Sequence, residues 1–481
     1  MTAVRSASLP YPPASGGQPP PSMFAVTSGG GGADSSAQLG REAYSYTYVY
    51  RAFRPLLERL GDVVEVERPE SRLDYAVRRA WERGQSVTHL SFLPLHRIYL
   101  TSMAPNVAFP FWEFPDLPDE DLDGNPRNNW VRVAGRLSVI VCASRFTRDA
   151  FVRAGVRTPV HVVPVPVPAD YFAVPIRRAG ERSRLDCAAH VLPLEGSAGA
   201  AASRLSRART WARTVYELQM QPRMPAAVDR ALGAGVRVAR AYQAEYRAAR
   251  MPPANRAALE LSGVVYTAFV NPFDARKNWQ DLLSAFVIAL RAADDATLVL
   301  KLVVCPTLAA AGLRSIVDHY RSLGLEHRCK VVCVTAYLST AQMLALARGS
   351  TYALSASRAE SACLPMQDFL AAARPAVAPA HSALAEYLDA EVGFPVASHP
   401  EPASWPHDTS GRLTTSWHRI VWQSLHDQIE ASYRVATRER DRYERLADNA
   451  RARMRALASA EHVWPRLCAA LDRDGTAAAV R

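Results

Sequence analysis

From Met23 onward the chain alternates short β-like apolar runs with stretches of helical period, and this alternation limits its fold more than any other feature. MFAVTS, the glycine-rich GGGGADSSAQLG, the helical YTYVYRAFRPLLERLG, DVVEVER, the helical SRLDYAVRRAWERG and VTHLSFL follow one another. Such alternation predicts a parallel sheet with covering helices. It continues through NVAFPFWEF, a helix-like stretch around 130–137, SVIVCAS, the helical FTRDAFVRAG and VHVVPVPV.

Between residues 178 and 257 the pattern breaks. Ala and Arg dominate, apolar spacing is irregular until RTWARTVYELQM, and Pro252 and Pro253 stand together. This reads as an inserted linker, helical or partly disordered. A second alternating unit opens at Gly263: VVYTAFV, the helical NWQDLLSAFVIALRAA, TLVLKLVV, the helical LAAAGLRSIVDHYRSLG, KVVCVTA, the helical TAQMLALARG and TYALSAS. Ser339 and Gln342 have capping-box spacing, which starts a helix just after Leu338. The tail from Trp417 reads as helical, with Val421, Leu425, Ile429 and Tyr433 four residues apart. A chain of 481 residues exceeds what one core usually supports. The expected segments are a Pro/Gly/Ser-rich leader (1–22), an N-terminal α/β domain (23–177), the linker (178–257), a C-terminal α/β domain (258–416) and terminal helices (417–481). Two doubly wound sheets place a ligand at the carboxyl ends of their strands, in the cleft between them.

The longest apolar run, FVIALRAADDATLVLKLVV, is cut by Arg291, Asp294, Asp295 and Lys301, so the sequence predicts no spanning helix. The leader lacks the apolar core of a secretory signal, and Met23 offers an alternative start. The seven cysteines are odd in number and scattered, and Cys142, Cys305, Cys333 and Cys363 sit in or beside strand-like runs as reduced thiols do. A cytoplasmic location is expected. Cys329 and Cys333 have no second pair or nearby histidines, and no metal site is expected. The net charge of +11 fits an Arg-biased composition, or an anionic-lipid partner that would bring the protein to the inner face of a membrane. The absence of zinc-finger spacing and of an RNP-type aromatic strand argues against nucleic acid.

Two stretches carry the candidate chemistry. In LSASRAESACLPMQDFLAAARP, Pro365 suits the first helical position and Pro375 ends the helix. Glu360 then lies in the loop, Ser361, Ala362, Cys363 and Leu364 offer backbone N–H groups at a helix N-terminus, and Asp368 sits near the end of the first turn. Free N–H groups favour a phosphate, and carboxylates favour hydroxyls. A diphosphate flanked by hydroxyl-bearing rings fits that layout; a capped helix with Asp368 complementing its dipole is the alternative. In FVNPFDARKNWQDLLSAF, Asp274 caps a helix with the apolar stripe Trp279, Leu282, Leu283 and Phe286. Arg276 and Lys277 then fall in its first turn, against the dipole, where a nearby anion would explain them.

These residues resemble the large retaining GT-B glycosyltransferase family, glycosyltransferase family 4 or group 1. Glu360 and Asp368 stand as its pair of acids eight positions apart, ESACLP as its EGFGLP-like turn and RKN at 276–278 as its basic element. NVAFPFWEFPDLP, CASRFTRDAF and VPVPVPADYF extend the likeness into the first domain, covering about 23–175 and 260–400. The resemblance implies a GT-B fold with a cleft between two Rossmann-like domains, and terminal helices that pack back on the first. It also implies sugar transfer from a nucleoside diphosphate sugar, with retention, to a glycan, lipid-linked or small-molecule acceptor, without a metal or other cofactor. Lys277 would neutralise the leaving diphosphate and Glu360 would hold sugar hydroxyls. Arg276, Asn271 and the backbone of Ser361 to Leu364 would line the donor site, with Asp368 on the ribose.

Three residues depart from that pattern: Asp368 is one methylene shorter than the usual glutamate, Ser361 replaces a glycine, and Asn271 stands where an arginine is common. Ser361 is thus expected to avoid positive φ or to carry strain. Gly30 and Gly31 could wrap the diphosphate or the acceptor, and Glu113 and His96 are candidate acceptor-side groups. Lys277 and Glu360 are expected about 6–8 Å apart across a gap, within reach of one ligand and not necessarily paired. A nucleotide-sugar epimerase and a degenerate, non-catalytic binding subunit are the alternative readings.

Overall fold

The computed structural model describes residues 22–29, 39, 42–178, 180–192, 257–405, 408, 411 and 413–472. Strands β1 (Ser22–Ser28), β2 (Asp62–Glu65), β3 (Ser86–Phe92), β4 (Asn106–Ala108), β5 (Val139–Cys142) and β6 (Val160–Val162) form one parallel sheet in the order β2-β1-β3-β4-β5-β6. β1 is apolar on both faces because both are covered. Phe24 and Val26 meet Tyr46, Tyr50 and Phe53 of α1 (Glu42–Leu57), while Met23 and Ala25 meet Leu73, Val77 and Ala80 of α2 (Pro69–Trp81). The helix read at 130–137 is the short α3 (Trp130–Ala134), and α4 (Arg145–Arg153) starts where the Ser144 side chain accepts from Thr147 N–H. The single-turn α5 (Ala169–Phe172) leads out of this domain.

In the stretch read as a linker, two strands belong to the second domain: β7 (Ser183–Leu185) and β8 (Ala189–Leu192). β7 pairs antiparallel with β9 (Leu259–Leu261), which lies just beyond residue 257. Periodicity hides these strands because each is three or four residues long. Gly349 makes room for β7 and β9, since a Cβ there would lie 2.5 Å from Ser183 Oγ and 2.6 Å from Leu261 Cδ1.

The second sheet contains the parallel strands β10 (Val264–Val270), β11 (Ala296–Leu302), β12 (Lys330–Val334), β13 (Tyr352–Leu354), β14 (Ala376–Pro379) and β15 (Gly393–Val396). Its order is β15-β14-β13-β10-β11-β12-β8, with β8 antiparallel at the edge. The chain winds outward from β10 to β12, then restarts beside β10 with β13. Helices α6 (Trp279–Ala289), α7 (Pro306–Leu323), α8 (Thr340–Gly349) and α9 (Leu364–Ala371) link these strands, and α8 begins with the Ser339–Gln342 capping box.

The tail is not helical from Trp417. Residues Ser398–Ser404 (β16) and Thr414–Ile420 (β17) form a hairpin in which the Trp417 indole donates to Glu401, and the next helix, α10 (Trp422–Arg438), starts only after it. α10 buries Leu425, Ile429 and Val435 on the second sheet. α11 (Arg440–Ala458) then leads to α12 (Ala460–Ala470), whose Val463, Trp464 and Leu467 sit in the core of the first domain with Phe24 and Phe53. The chain therefore crosses between domains twice, and the crossings touch where Val167 N–H donates to Ala458 O at 2.8 Å. Arginines pin the outgoing strand of chain by its carbonyls. Buried Arg374 bonds the carbonyls of Pro175, Ala347, Arg348 and Ala373, Arg451 bonds that of Val174 and Arg440 that of Arg177. Of the leader, only Ser22 falls within the described residues, at the start of β1; Gly30 and Gly31 lie outside them.

Leu467 has no exposed surface. Leu467→Ala is expected to destabilise the protein by about 2–5 kcal/mol in denaturant titration. A loss well under 1 kcal/mol would show that α12 is not part of the first domain's core.

Candidate functional site

Residues 271–278 follow β10 and residues 355–363 follow β13, neighbouring strands at which the winding reverses. A crevice opens at such a switch point because successive helices leave on opposite faces. Both candidate stretches therefore meet there, although 83 residues separate Lys277 from Glu360 in the chain.

The first loop is shaped by its own side chains. Asn271 Oδ1 accepts from Phe273 N–H at 3.1 Å, so this side chain serves the turn. Asp274 accepts from Arg276 N–H at 3.0 Å and starts a single 3₁₀ turn, Ala275–Lys277. Asn278 then adopts a left-handed conformation (φ 47°) before α6 begins. Arg276 and Lys277 thus stand in a separate turn ahead of the helix, where the sequence placed them in its first turn. Left-handed Asn278 breaks the two apart.

In the second loop the left-handed residue is Cys363 (φ 55°), not Ser361, so serine at 361 needs no strained backbone. Pro365 is the second residue of α9, one position later than expected, because the helix starts at Leu364. Among the described residues the N–H groups of Ser361, Ala362, Cys363 and Leu364 bond no acceptor, while Tyr387 fixes the turn by donating to Ala362 O at 2.7 Å.

Where the two loops meet, Lys277 Nζ lies 2.6 Å from Glu360 Oε1 and Arg276 Nη1 lies 3.4 Å from Glu360 Oε2. The expected gap between Lys277 and Glu360 is not there. The Glu360 side chain is only 5% exposed, and a carboxylate so far out of water must be paired. Burial alone would raise its pKa, but Lys277 and Arg276 override this and hold it at about 2. Arg276 also reaches Asp274 at 3.1 Å, Ala359 O at 2.9 Å and, from the first domain, Glu113 at 3.3 Å. Glu113 therefore faces the basic turn across the cleft. His96 stands against Trp130, ring centroids 6.1 Å apart.

Asp368 is the fifth residue of α9, 5% exposed, one residue further along than the sequence suggested. Its Oδ2 accepts from Tyr48 Oη of α1 at 2.9 Å. Burial pushes its pKa up to about 7, partly opposed by that hydrogen bond. Burial likewise pushes the Cys363 thiol up to about 12, which leaves it unreactive.

Sequence reasoning missed Tyr48 and the pair His381–Ser382. The signal for Tyr48 was present: Tyr44, Tyr46, Tyr48 and Tyr50 alternate, and a helix sorts them onto two faces. Tyr46 and Tyr50 enter the core, and Tyr44 and Tyr48 turn toward the second domain. Ser382 Oγ accepts from Glu360 N–H at 3.1 Å and contacts His381 Nδ1 at 3.0 Å, a role that no spacing announces. Among the described residues, one group of metal-ligand types lies close together, His426, Asp427 and Glu430 on α10, with both acids exposed. A separate groove of about 330 Å³ lies between residues 116–120 and the β16–β17 hairpin.

Two doubly wound domains, a cleft between them and a terminal helix returned to the first define the GT-B fold. Among solved structures the chain is similar to sucrose-phosphate synthase from Thermosynechococcus elongatus, at TM-score 0.50 and 13% identity over 94% of this chain and 97% of that one. It is similar to a glycosyltransferase from Rickettsia africae at TM-score 0.50 and 10% identity, over 95% and 100%. No protein-family profile matches the chain, and no curated protein matches it in sequence. At these identities the likeness is one of fold.

Because Asp368 has a higher pKa folded (about 7) than its ordinary 3.8, the native state holds a proton that the unfolded chain has released. Its contribution to stability therefore falls as pH rises from 3.8 to about 7. Asp368→Asn is expected to melt at a higher temperature than the unmodified protein at pH 8, with the difference shrinking by pH 5. Identical differences at both pH values would mean an ordinary pKa at this site.

Proposed function

We propose that this protein is a retaining glycosyltransferase that moves a sugar from a nucleoside diphosphate sugar to a hydroxyl acceptor. The observation that carries the reading is the meeting of Lys277, Arg276 and Glu360 at the switch point, beside the run of unbonded N–H groups that opens α9. Cations and backbone N–H groups together suit a diphosphate, and the acids on either side suit hydroxyls.

In this reading the bond from the sugar's anomeric carbon to the phosphate oxygen breaks, and the acceptor oxygen bonds to that carbon on the same face. The acceptor's proton passes to the leaving phosphate. Lys277, with Arg276, neutralises charge as the diphosphate departs, and Glu360, ionised throughout the physiological range, accepts from sugar hydroxyls. Asp368 accepts from the ribose, which draws on its ionised form, so nucleotide binding strengthens as pH rises through about 7. No metal or cofactor is assigned a role. The acceptor, a glycan, a lipid-linked sugar or a small molecule, approaches from the first domain. No helix among the described residues is long and apolar enough to cross a membrane, so a membrane-borne acceptor would be met at the surface.

The test is a transfer assay with UDP-, GDP- and ADP-sugars, with the anomeric configuration of the product read by NMR. An α product from an α donor is expected, and a β product would overturn retention. Lys277→Ala should lower kcat about a hundredfold, and Asp368→Ala should mainly weaken nucleotide binding, by about tenfold. Glu360→Gln should impair both. Near-normal turnover in Lys277→Ala and Glu360→Gln would falsify the assignment, and nucleotide binding without turnover in the unmodified chain would identify a non-catalytic subunit.

A further inference from the structure

Two side chains of the first domain reach into this site, and each has the chemistry of one part of the proposed donor. Glu113 places a carboxylate oxygen 3.3 Å from Arg276 Nε, with the two side chains 20% and 15% exposed. Tyr48 places a hydroxyl 2.9 Å from Asp368 Oδ2. One turn earlier on the same face of α1, Tyr44 is hydrogen-bonded to Tyr337, beyond β12. The first domain thus touches the second with an anion on a guanidinium and a hydroxyl on a carboxylate.

We propose that Glu113 and Tyr48 are stand-ins for the donor: the Glu113 carboxylate takes the place of a phosphate oxygen on Arg276, and the Tyr48 phenol that of a ribose hydroxyl on Asp368. The diphosphate displaces the first, and a ribose hydroxyl, where the ligand has one, displaces the second. The inference rests on the donor site assigned under Proposed function.

Charge requires the first displacement. The two cations Arg276 and Lys277 already face three carboxylates, Glu113, Asp274 and Glu360. A diphosphate beside Arg276 would meet Glu113 within the about 4–6 Å at which like charges strongly disfavour each other. Asp274 caps its own turn and Glu360 is locked to Lys277, which leaves Glu113, from the opposite domain, as the acid free to withdraw. Hydrogen bonding requires the second, because Asp368 is 5% exposed and its Oδ2 already accepts from the phenol, so a ribose hydroxyl reaches that oxygen only in the phenol's place. Without ligand the stand-ins keep a buried guanidinium and a buried carboxylate satisfied. With ligand they compete, and the apparent affinity falls by the fraction of molecules in the closed arrangement.

The test is calorimetric titration of the full chain and of Tyr48→Phe and Glu113→Gln, each checked for folding by circular dichroism. The ligands are UDP, GDP and ADP, the 2′,3′-dideoxy analogue of the tightest binder, and inorganic pyrophosphate. Tyr48→Phe should bind the nucleoside diphosphate about tenfold more tightly and leave the dideoxy analogue and pyrophosphate unchanged. Glu113→Gln should tighten all three to a similar degree. A merely loosened cleft would move every ligand alike in both variants, and that result overturns the proposal. Unchanged or weaker binding in Tyr48→Phe, with the unmodified chain binding normally, overturns the stand-ins alone. If neither the unmodified chain nor the variants bind any nucleotide, the donor-site reading falls with them.

Discussion

The buried carboxylate of Glu360 sets the terms for the loops around it. Leaving such a charge unpaired costs about 3–5 kcal/mol, so the chain must bring cations to it and hold them there. That need accounts for the capped turn at Ala275–Lys277, the left-handed break at Asn278 and the backbone bond from Arg358 N–H to Arg276 O at 2.8 Å that zips the two loops together. On its other side Glu360 is held through its own N–H by Ser382. His381 completes that arrangement. Its Nε2 faces Ser357 O, which can only accept, so the proton sits on Nε2 and Nδ1 accepts from the Ser382 hydroxyl. Burial and the neighbouring His418 hold the His381 pKa down at about 4, consistent with a neutral ring.

Much of the fold was legible because parallel α/β architecture writes itself as alternation. Strands such as VVYTAFV and TLVLKLVV are covered on both faces and read as continuous apolar runs. Elements below four or five residues escaped. β7 and β8 give too few positions to show a period, and β8 owes its existence to the edge of β12, a partner more than a hundred residues away. At the site, residue types and neighbourhood were readable in ESACLP and ARKN, since a capped turn, a proline and an acid have local causes. The geometry was not. Direct pairing of Lys277 with Glu360 follows from burial, which no local pattern reports, and Tyr48 reaches Asp368 across a spacing of 320 residues.

The contact between domains is built from two kinds of bond with different consequences. Along the connecting segment, arginine side chains bind carbonyls, Arg374 that of Pro175, Arg451 that of Val174 and Arg440 that of Arg177, and these bonds depend on backbone position and ignore neighbouring side chains. Across the cleft each bond uses at least one side chain as acceptor: Asp368 from Tyr48, Glu113 from Arg276, and Glu386 from the backbone N–H of Phe146 at the start of α4. The first set is fixed by the chain's path, and the second can exchange for groups on a ligand. The two crossings, at 167–177 and 458–460, thus form a back held through the backbone, while the cleft side is held by partners that a ligand's groups can replace.

The strand β8 has an effect beyond the register it completes. A parallel sheet ending at β12 would present a bare row of donors and acceptors, an invitation to strands from other molecules. By turning back antiparallel along that row, β8 takes up the outward-facing groups of β12 from Val331 to Val334. β12 thereby becomes an interior strand, and the exposed row passes to β8, whose four residues give an incoming strand only a short ladder to pair with.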